Sequence, residues 1–299
     1  MDPELVATVT RLLGAPLRTS TRATGGYTNN ERWLVELEDG RTAFVKGAVD
    51  EDTAAWLRAE HNVYEQVQAR WLPTLLAFDD DGVRPTLVLE DLSRERWPPP
   101  WTPGDVDLVR HTLGQVWAHP PPEGLPRLEE LRAEWAGWTD VAEDPIPFLS
   151  LGLCSSDWLE HALPELVLAE ASFHLEGDGL VHVDVRSDNL CLRGDAAILI
   201  DWNQACVGNP EFDLAFWAPS LQSEGGPEPE TLLGSDTGPA AAFVSGFFAC
   251  RAGLPPIPHA PRVREVQSTQ LRTALPWAVR ALDLLPLDGQ ANPMSGATS

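Results

Sequence analysis

The sequence predicts an α+β fold in two lobes, an antiparallel sheet with one helix up to about residue 90 followed by a mainly helical lobe. Three observations carry this. Residues 32–37 and 42–47 alternate in polarity around Glu38-Asp39-Gly40, which marks a hairpin. The stretch 53–68 then switches to helical spacing. Beyond the proline-rich run 97–103 the pattern is helical almost throughout, broken only by short apolar runs between residues 180 and 200. A chain of 299 residues, 43% hydrophobic and 22% charged, has ample material for a packed core.

Taken in order, residues 3–13 form a helix closed by Gly14, which takes the left-handed conformation cheaply. The hairpin comes next. In 53–68, spacings of four, three and four place Trp56, Glu60, Val63 and Val67 on one helix face, so that Glu60 interrupts an apolar stripe. Residues 75–78 and 86–89 read as two further strands, and the lobe boundary falls after residue 90. The first lobe is thus 1–90 and the second 91–287, with a loose tail of small and polar residues at 288–299. Thr102 caps a helix whose first position suits Pro103, and three helices are expected before residue 178. Strands are expected at 180–183, 190–192 and 196–200, with a turn at Arg193-Gly194-Asp195, and helices resume from 212 to 285.

A formal charge of -24 repels a phosphate backbone, which speaks against nucleic acid as a partner. The same field attracts cations, including magnesium and amine-bearing ligands, and keeps a protein soluble. No apolar run approaches a membrane span and no secretion leader is evident, so the chain is expected in the cytoplasm without membrane contact. The four cysteines are widely spaced without a C-x-x-C pair, and histidines such as His61, His111 and His161 lack partners at ligand spacing.

The chemistry lies in His182-Val183-Asp184-Val185-Arg186-Ser187-Asp188-Asn189, an H-x-D-x-x-x-x-N pattern, followed by an apolar strand ending on Asp201. Phosphoryl transfer needs a carboxylate beside the attacking hydroxyl, an amide oxygen and a second carboxylate for magnesium, and positive charge on the phosphates. These groups supply the first three. The charge comes from Lys46, the single lysine among 21 basic residues, on an expected central strand. A buried ammonium requires a partner, and Glu60 on the apolar stripe of the next helix has the same need. His182 is expected to bond the loop backbone and Trp202 to pack. Gly25-Gly26-Tyr27-Thr28-Asn29-Asn30 reads equally as a phosphate cradle of backbone amides or as an ordinary turn.

Over residues 20–285 these motifs resemble those of the aminoglycoside phosphotransferase and choline kinase family, relatives of the protein kinases. The resemblance implies a bilobal protein-kinase-like fold that uses ATP and Mg2+. It makes Asp184 the catalytic base and Asn189 and Asp201 the metal ligands, with Lys46 on the α and β phosphates and Glu60 orienting Lys46. Thr28 and Asn29 fall in the phosphate-covering loop, Glu90 in the 87–91 hinge that receives adenine through backbone groups, and Asp213 in a segment that braces the catalytic loop. Val183, Arg186 and Asp188 depart from the usual pattern, which more often has glycine and histidine at the first two; Arg186 can place its charge on the transferring phosphate.

The implied reaction moves the γ-phosphate of ATP to a hydroxyl of a small acceptor. An aminoglycoside-like or other cationic antibiotic is one acceptor class. Carboxylates at Glu129, Glu130, Glu134, Asp140, Glu143, Asp144, Asp157 and Glu160, with aromatic faces at Trp135, Trp138 and Trp158, would attract it. The alternative is a metabolite kinase for an amino alcohol, sugar or homoserine-like compound; a non-catalytic nucleotide-binding scaffold is the third reading.

Overall fold

Asp2 starts the first helix by accepting the Leu5 amide at 2.9 Å, and Gly14 ends it at φ 69°, giving α1 (Pro3–Leu13). The structure, a computed structural model, describes residues 1–23, 30–258, 260 and 262–289. Strands β1 (Leu17–Arg22), β2 (Glu31–Leu37) and β3 (Thr42–Gly47) precede α2 (Glu51–Gln66), and β4 (Leu75–Asp79) and β5 (Thr86–Glu90) come after it. The five strands form one antiparallel sheet in the order β1-β2-β3-β5-β4. One face of it packs Val35, Ala43, Val45 and Val88 against Leu5 and Val9 of α1.

Two details differ from the sequence reading. Strand β1 has the sequence LRTSTR and is exposed along nearly its whole length, so it carries no apolar alternation and escapes pattern reading. In α2 the buried face runs through Ala54, Leu57, Glu60, Val63 and Tyr64, turned away from Trp56, which is half-buried, while Val67 lies just past the helix.

After β5, a capping box at Thr102 and Asp105 opens α3 (Pro103–Trp117). Where three helices were expected before residue 178 there are five, with a 3-10 turn at Leu128–Leu131. Besides α3 these are α4 (Arg132–Trp135), α5 (Trp138–Glu143), α6 (Ile146–Leu149) and α7 (Ser156–Ser172). Gly137, Pro145 and Gly152 cut the segment into pieces too short for helical periodicity to register. Then come β6 (Gly179–Val181), the hairpin β7 (Leu190–Arg193) and β8 (Ala196–Leu199), and β9 (Cys206–Gly208). The last pairs with β6 and, at three residues, was not anticipated. Helices α8 (Glu211–Ser223), α9 (Pro229–Leu233), α10 (Gly238–Ala252) and α11 (Val263–Ala281) complete the chain.

By packing, the chain groups into two compact units. The first comprises Met1–Glu130, Leu175–Trp217 and Glu224–Gly226; the second comprises Leu131–His174, Ala218–Ser223 and the chain from Pro227 onward. The expected boundary at residue 90 falls inside the first unit. In the second, α10 is buried along most of its length and packs against α5, α6, α7 and α11. Trp138 and Trp158, expected as exposed aromatic faces, are core residues there, with Nε1 donating to Ala242 O at 2.9 Å and to Leu285 O at 2.8 Å. Each indole fills the interior and finds an acceptor for its one polar atom. Glu170 of α7 is also interior, 3% exposed, and its carboxylate accepts the Gly137 and Trp138 amides at 2.8 and 3.1 Å. Burial pushes its pKa up to about 7 despite those bonds. At the end of the described residues, Asp288 accepts from the Ser155 amide at 2.7 Å; the remainder of the expected tail, from residue 290, lies outside the described residues. Among the described residues no helix is long and apolar enough to cross a membrane.

Candidate active site

The loop from His182 to Asn189 joins β6 to β7 in the first unit, and a fully buried carboxylate shapes its start. Asp213 of α8 accepts the backbone amides of His182 at 3.1 Å and Val183 at 2.7 Å, and the Trp117 indole at 2.9 Å. Burial raises the Asp213 pKa, and these donors work against the rise. Val183 is held at φ 75°, a left-handed conformation that a β-branched residue adopts only under constraint. His182 accepts the Asp184 amide on Nδ1 at 3.3 Å and faces the Ile200 carbonyl with Nε2 at 2.9 Å. Those partners require a neutral ring protonated on Nε2, and burial lowers its pKa accordingly. The side chain thus bonds loop backbone, while Trp202, fully buried, packs between Trp71 and His182.

Asp184 and Asn189 come together across this loop. Asn189 Nδ2 donates to Asp184 Oδ2 at 2.8 Å and to the Asp184 carbonyl at 3.0 Å, which turns its Oδ1 the other way. Arg186 Nε sits 3.2 Å from Oδ1 of both Asp184 and Asp188, so one guanidinium bridges two carboxylates. Burial raises the Asp188 pKa. Ser187 Oγ donates to Glu224 at 2.5 Å, and Trp101 Nε1 donates to the other oxygen of Glu224 at 2.8 Å.

Lys46 and Glu60 also come together. The Lys46 ammonium, 2% exposed on β3, donates to both Glu60 oxygens at 2.9 and 2.8 Å and contacts Asp201 as well. Glu60 further accepts the Tyr64 hydroxyl at 2.8 Å and the Asp201 amide at 3.2 Å. Burial disfavours the ammonium, but Asp201 and Glu60 outweigh it and raise the Lys46 pKa. Burial likewise opposes the Asp201 charge, and Lys46 with a smaller effect of Arg32 turns its pKa downward. Asp201 itself is at φ 64°, directly after β8 and Ile200.

A cavity of about 540 Å³ opens in the first unit. Leu34, Phe44, Leu89 and Leu92 give it an apolar part, and Lys46, Arg32, Asn189, Asp188 and Asp201 a polar part. Of the residues singled out in the sequence, Lys46, Glu90, Asn189 and Asp201 line it, and Glu60 lies behind Lys46. The Glu90 side chain is bound to Arg193 at 3.2 and 2.9 Å and to the Thr74 amide at 2.8 Å, so it ties β5 to β7. Thr28 and Asn29 lie outside the described residues.

Sequence reading missed Arg32, Tyr64, Trp117 and Glu224. The first two left a signal. Arg32 precedes Leu34 by one strand period, and Tyr64 comes one helical turn after Glu60. The other two meet the loop only through tertiary packing.

Asp201 and Asn189 offer a carboxylate and an amide oxygen to the cavity, a hard oxygen set that fits Mg2+. Among the described residues no group of three or more His, Cys, Asp or Glu is placed to hold a metal. Two protein oxygens are in keeping with Mg2+ carried largely by water and phosphate.

The comparisons with known proteins bear on this arrangement. Residues 19–247 match the family model of the phosphotransferase enzyme family. The chain belongs to that family. This phosphotransferase matches no curated protein. Solved structures similar to it share its fold at low identity. One is a thermostable mutant of aminoglycoside phosphotransferase APH(4)-Ia in a ternary complex with AMP-PNP and hygromycin B, at 16% identity and TM-score 0.57, covering 94% of this chain and 98% of that one. Another is a choline/ethanolamine kinase family protein from Mesorhizobium loti, at 14% identity and TM-score 0.58, covering 94% and 97%. A third is a choline kinase from Cryptosporidium parvum, at 12% identity and TM-score 0.52, covering 94% and 95%. These likenesses give the phosphotransferase a protein-kinase-like α+β fold, with an N-terminal antiparallel sheet and helix and a mainly helical C-terminal part.

Proposed function

We propose that this phosphotransferase moves the γ-phosphate of ATP to a hydroxyl of a small acceptor. The observation that carries the proposal is the set of groups joined by hydrogen bonds in the first unit: Asp184 to Asn189, and Lys46 to Glu60 and Asp201. The acceptor oxygen attacks the γ-phosphorus, the bond to the β–γ bridging oxygen breaks, ADP leaves, and the hydroxyl proton passes to the Asp184 carboxylate. The Asn189 bond fixes that carboxylate. Arg186, held between Asp184 and Asp188, brings positive charge to the transferring phosphate, and Lys46 contacts the α and β phosphates. Asn189 and Asp201 would hold Mg2+, which when bound neutralises phosphate charge. The adenine enters the apolar part of the cavity beside residues 87–91.

For the acceptor, a cationic hydroxylated compound agrees with the formal charge of -24 and with the exposure of Glu134, Asp140, Glu143, Asp144, Asp157 and Glu160 in the second unit. The similar aminoglycoside phosphotransferase, crystallised with hygromycin B, favours the same class. ADP release with ATP and Mg2+ should depend on an acceptor drawn from a panel of aminoglycosides, peptide antibiotics, macrolides, amino alcohols and sugars. It should vanish in Asp184→Ala and in Asp201→Ala. Undiminished release in either variant would refute the assignment.

A further inference from the structure

The cavity holds a second cation beside Lys46. In the β2–β3 ladder Arg32 pairs directly with Lys46, and the next pair on that face is Leu34 with Phe44. Directly paired residues of antiparallel strands project to one face, and all four side chains line the cavity. The opposite face of β2 has other work. Trp33 and Val35 pack toward α1, and Trp33 donates to Glu31 at 3.2 Å. The alternation of β2 therefore commits Arg32 to the cavity, where it is only partly exposed. Along these two strands the wall changes from apolar, at Leu34 and Phe44, to cationic, at Arg32 and Lys46. That gradient matches a nucleoside triphosphate, whose base is apolar and whose tail is a polyanion.

Charge balance makes the second cation consequential. Lys46 is already engaged by two carboxylates, Glu60 and Asp201, so the three groups together carry a net negative charge. Asp188 adds another carboxylate to the lining. Until Asn189 and Asp201 hold a metal ion, a polyanion entering this cavity meets no net attraction from Lys46 alone. The planar guanidinium of Arg32 has the donor fork that phosphate oxygens accept in pairs.

We propose that Arg32 is a second triphosphate-binding residue, which grips the nucleotide's phosphate tail from β2 while Lys46 does so from β3. The proposal rests on ATP being the donor, and the test separates the two. Equilibrium binding of ATP, ADP and adenosine is measured with the full chain in Mg2+, for the native protein, Arg32→Gln and Arg32→Lys. Arg32→Gln should weaken ATP by roughly tenfold or more, as expected for a lost charge-assisted bond, and leave adenosine within about twofold. Arg32→Lys should recover part of the loss, because it restores charge without the fork. Equal weakening of ATP and adenosine in both variants, or undiminished ATP binding in Arg32→Gln, would overturn the role of Arg32 alone. Failure of the native protein to bind ATP would overturn it together with the donor assignment.

Discussion

Replacing Glu170 with glutamine should stabilise the protein at pH 8 and not at pH 5. Glu170 is interior, and its carboxyl titrates at about 7 rather than the ordinary 4.5 because burial penalises the charge. For a carboxyl raised in the folded state, the unfolded chain releases its proton first. Stability is therefore fully present below pH 4.5, falls as pH rises toward 7, and stays lower above that. At 1.36 kcal/mol per pH unit the gap between 4.5 and 7 amounts to about 3 kcal/mol. Glutamine removes the charge and keeps one oxygen that can accept both the Gly137 and Trp138 amides, as Oε1 does. Its NH2 group then stands where Oε2 faces the Trp138 amide at 3.2 Å, a donor against a donor that costs about 1 kcal/mol. The net expectation is a gain of about 2 kcal/mol at pH 8 and almost no change at pH 5, where ionisation of the unfolded carboxyl already costs the native protein nearly as much as the donor clash costs the variant. Urea titrations followed by tryptophan fluorescence at the two pH values measure both. A difference between variant and native protein that does not change with pH would refute the argument, since only ionisation of Glu170 makes it pH-dependent.

Two further expectations concern the loop from His182 to Asn189. Asp213→Asn keeps one acceptor for the His182 and Val183 amides and turns a donor toward the rest, so the loop loses a charge-assisted bond. With about 1.5–3 kcal/mol at stake, steady-state kinetics should show kcat falling roughly tenfold to a hundredfold while KM for ATP moves little; unchanged kcat would dismiss the bracing role. At Val183, the φ of 75° inverts the usual ranking of truncations. Val183→Gly should be more stable than Val183→Ala by about 1 kcal/mol in urea titrations, because alanine retains a Cβ in the left-handed region and glycine does not.

The parts of the molecule legible in sequence are those where one residue type is forced by a local rule. The Glu38-Asp39-Gly40 turn fixes the hairpin, the αL glycine at 14 ends α1, and a lone lysine on an inner strand demands a carboxylate. What was hidden depends on context that no short window holds. The β1 strand is polar because it is an exposed edge, held by its ladder to β2 rather than by burial. Residues 128–149 break into one-turn helices whose direction is set by packing, so Trp138 looked available although it is enclosed. The motif spacing located Asp184 and Asn189 but not the Arg186 bridge, which needs the loop's three-dimensional return. Arg32 stayed hidden because a polar residue at the start of an alternating strand reads as solvent-facing until the cavity beside it is seen.

Lys46 has a consequence outside the proposed chemistry. It is the sole lysine of this sequence and is enclosed in the central strand of the sheet. Reagents that acylate lysine side chains therefore find none in solvent on the native fold. A lysine-specific protease has a single point of attack, after Lys46 in β3, which no protease can reach while the sheet is intact. Cleavage into two fragments thus reports opening of the sheet itself, read from one band pair without any label. When opening and closing are fast relative to cleavage, the rate scales with the population of the open form. The residue that would hold the nucleotide's phosphates doubles as a built-in gauge of the unit that surrounds it.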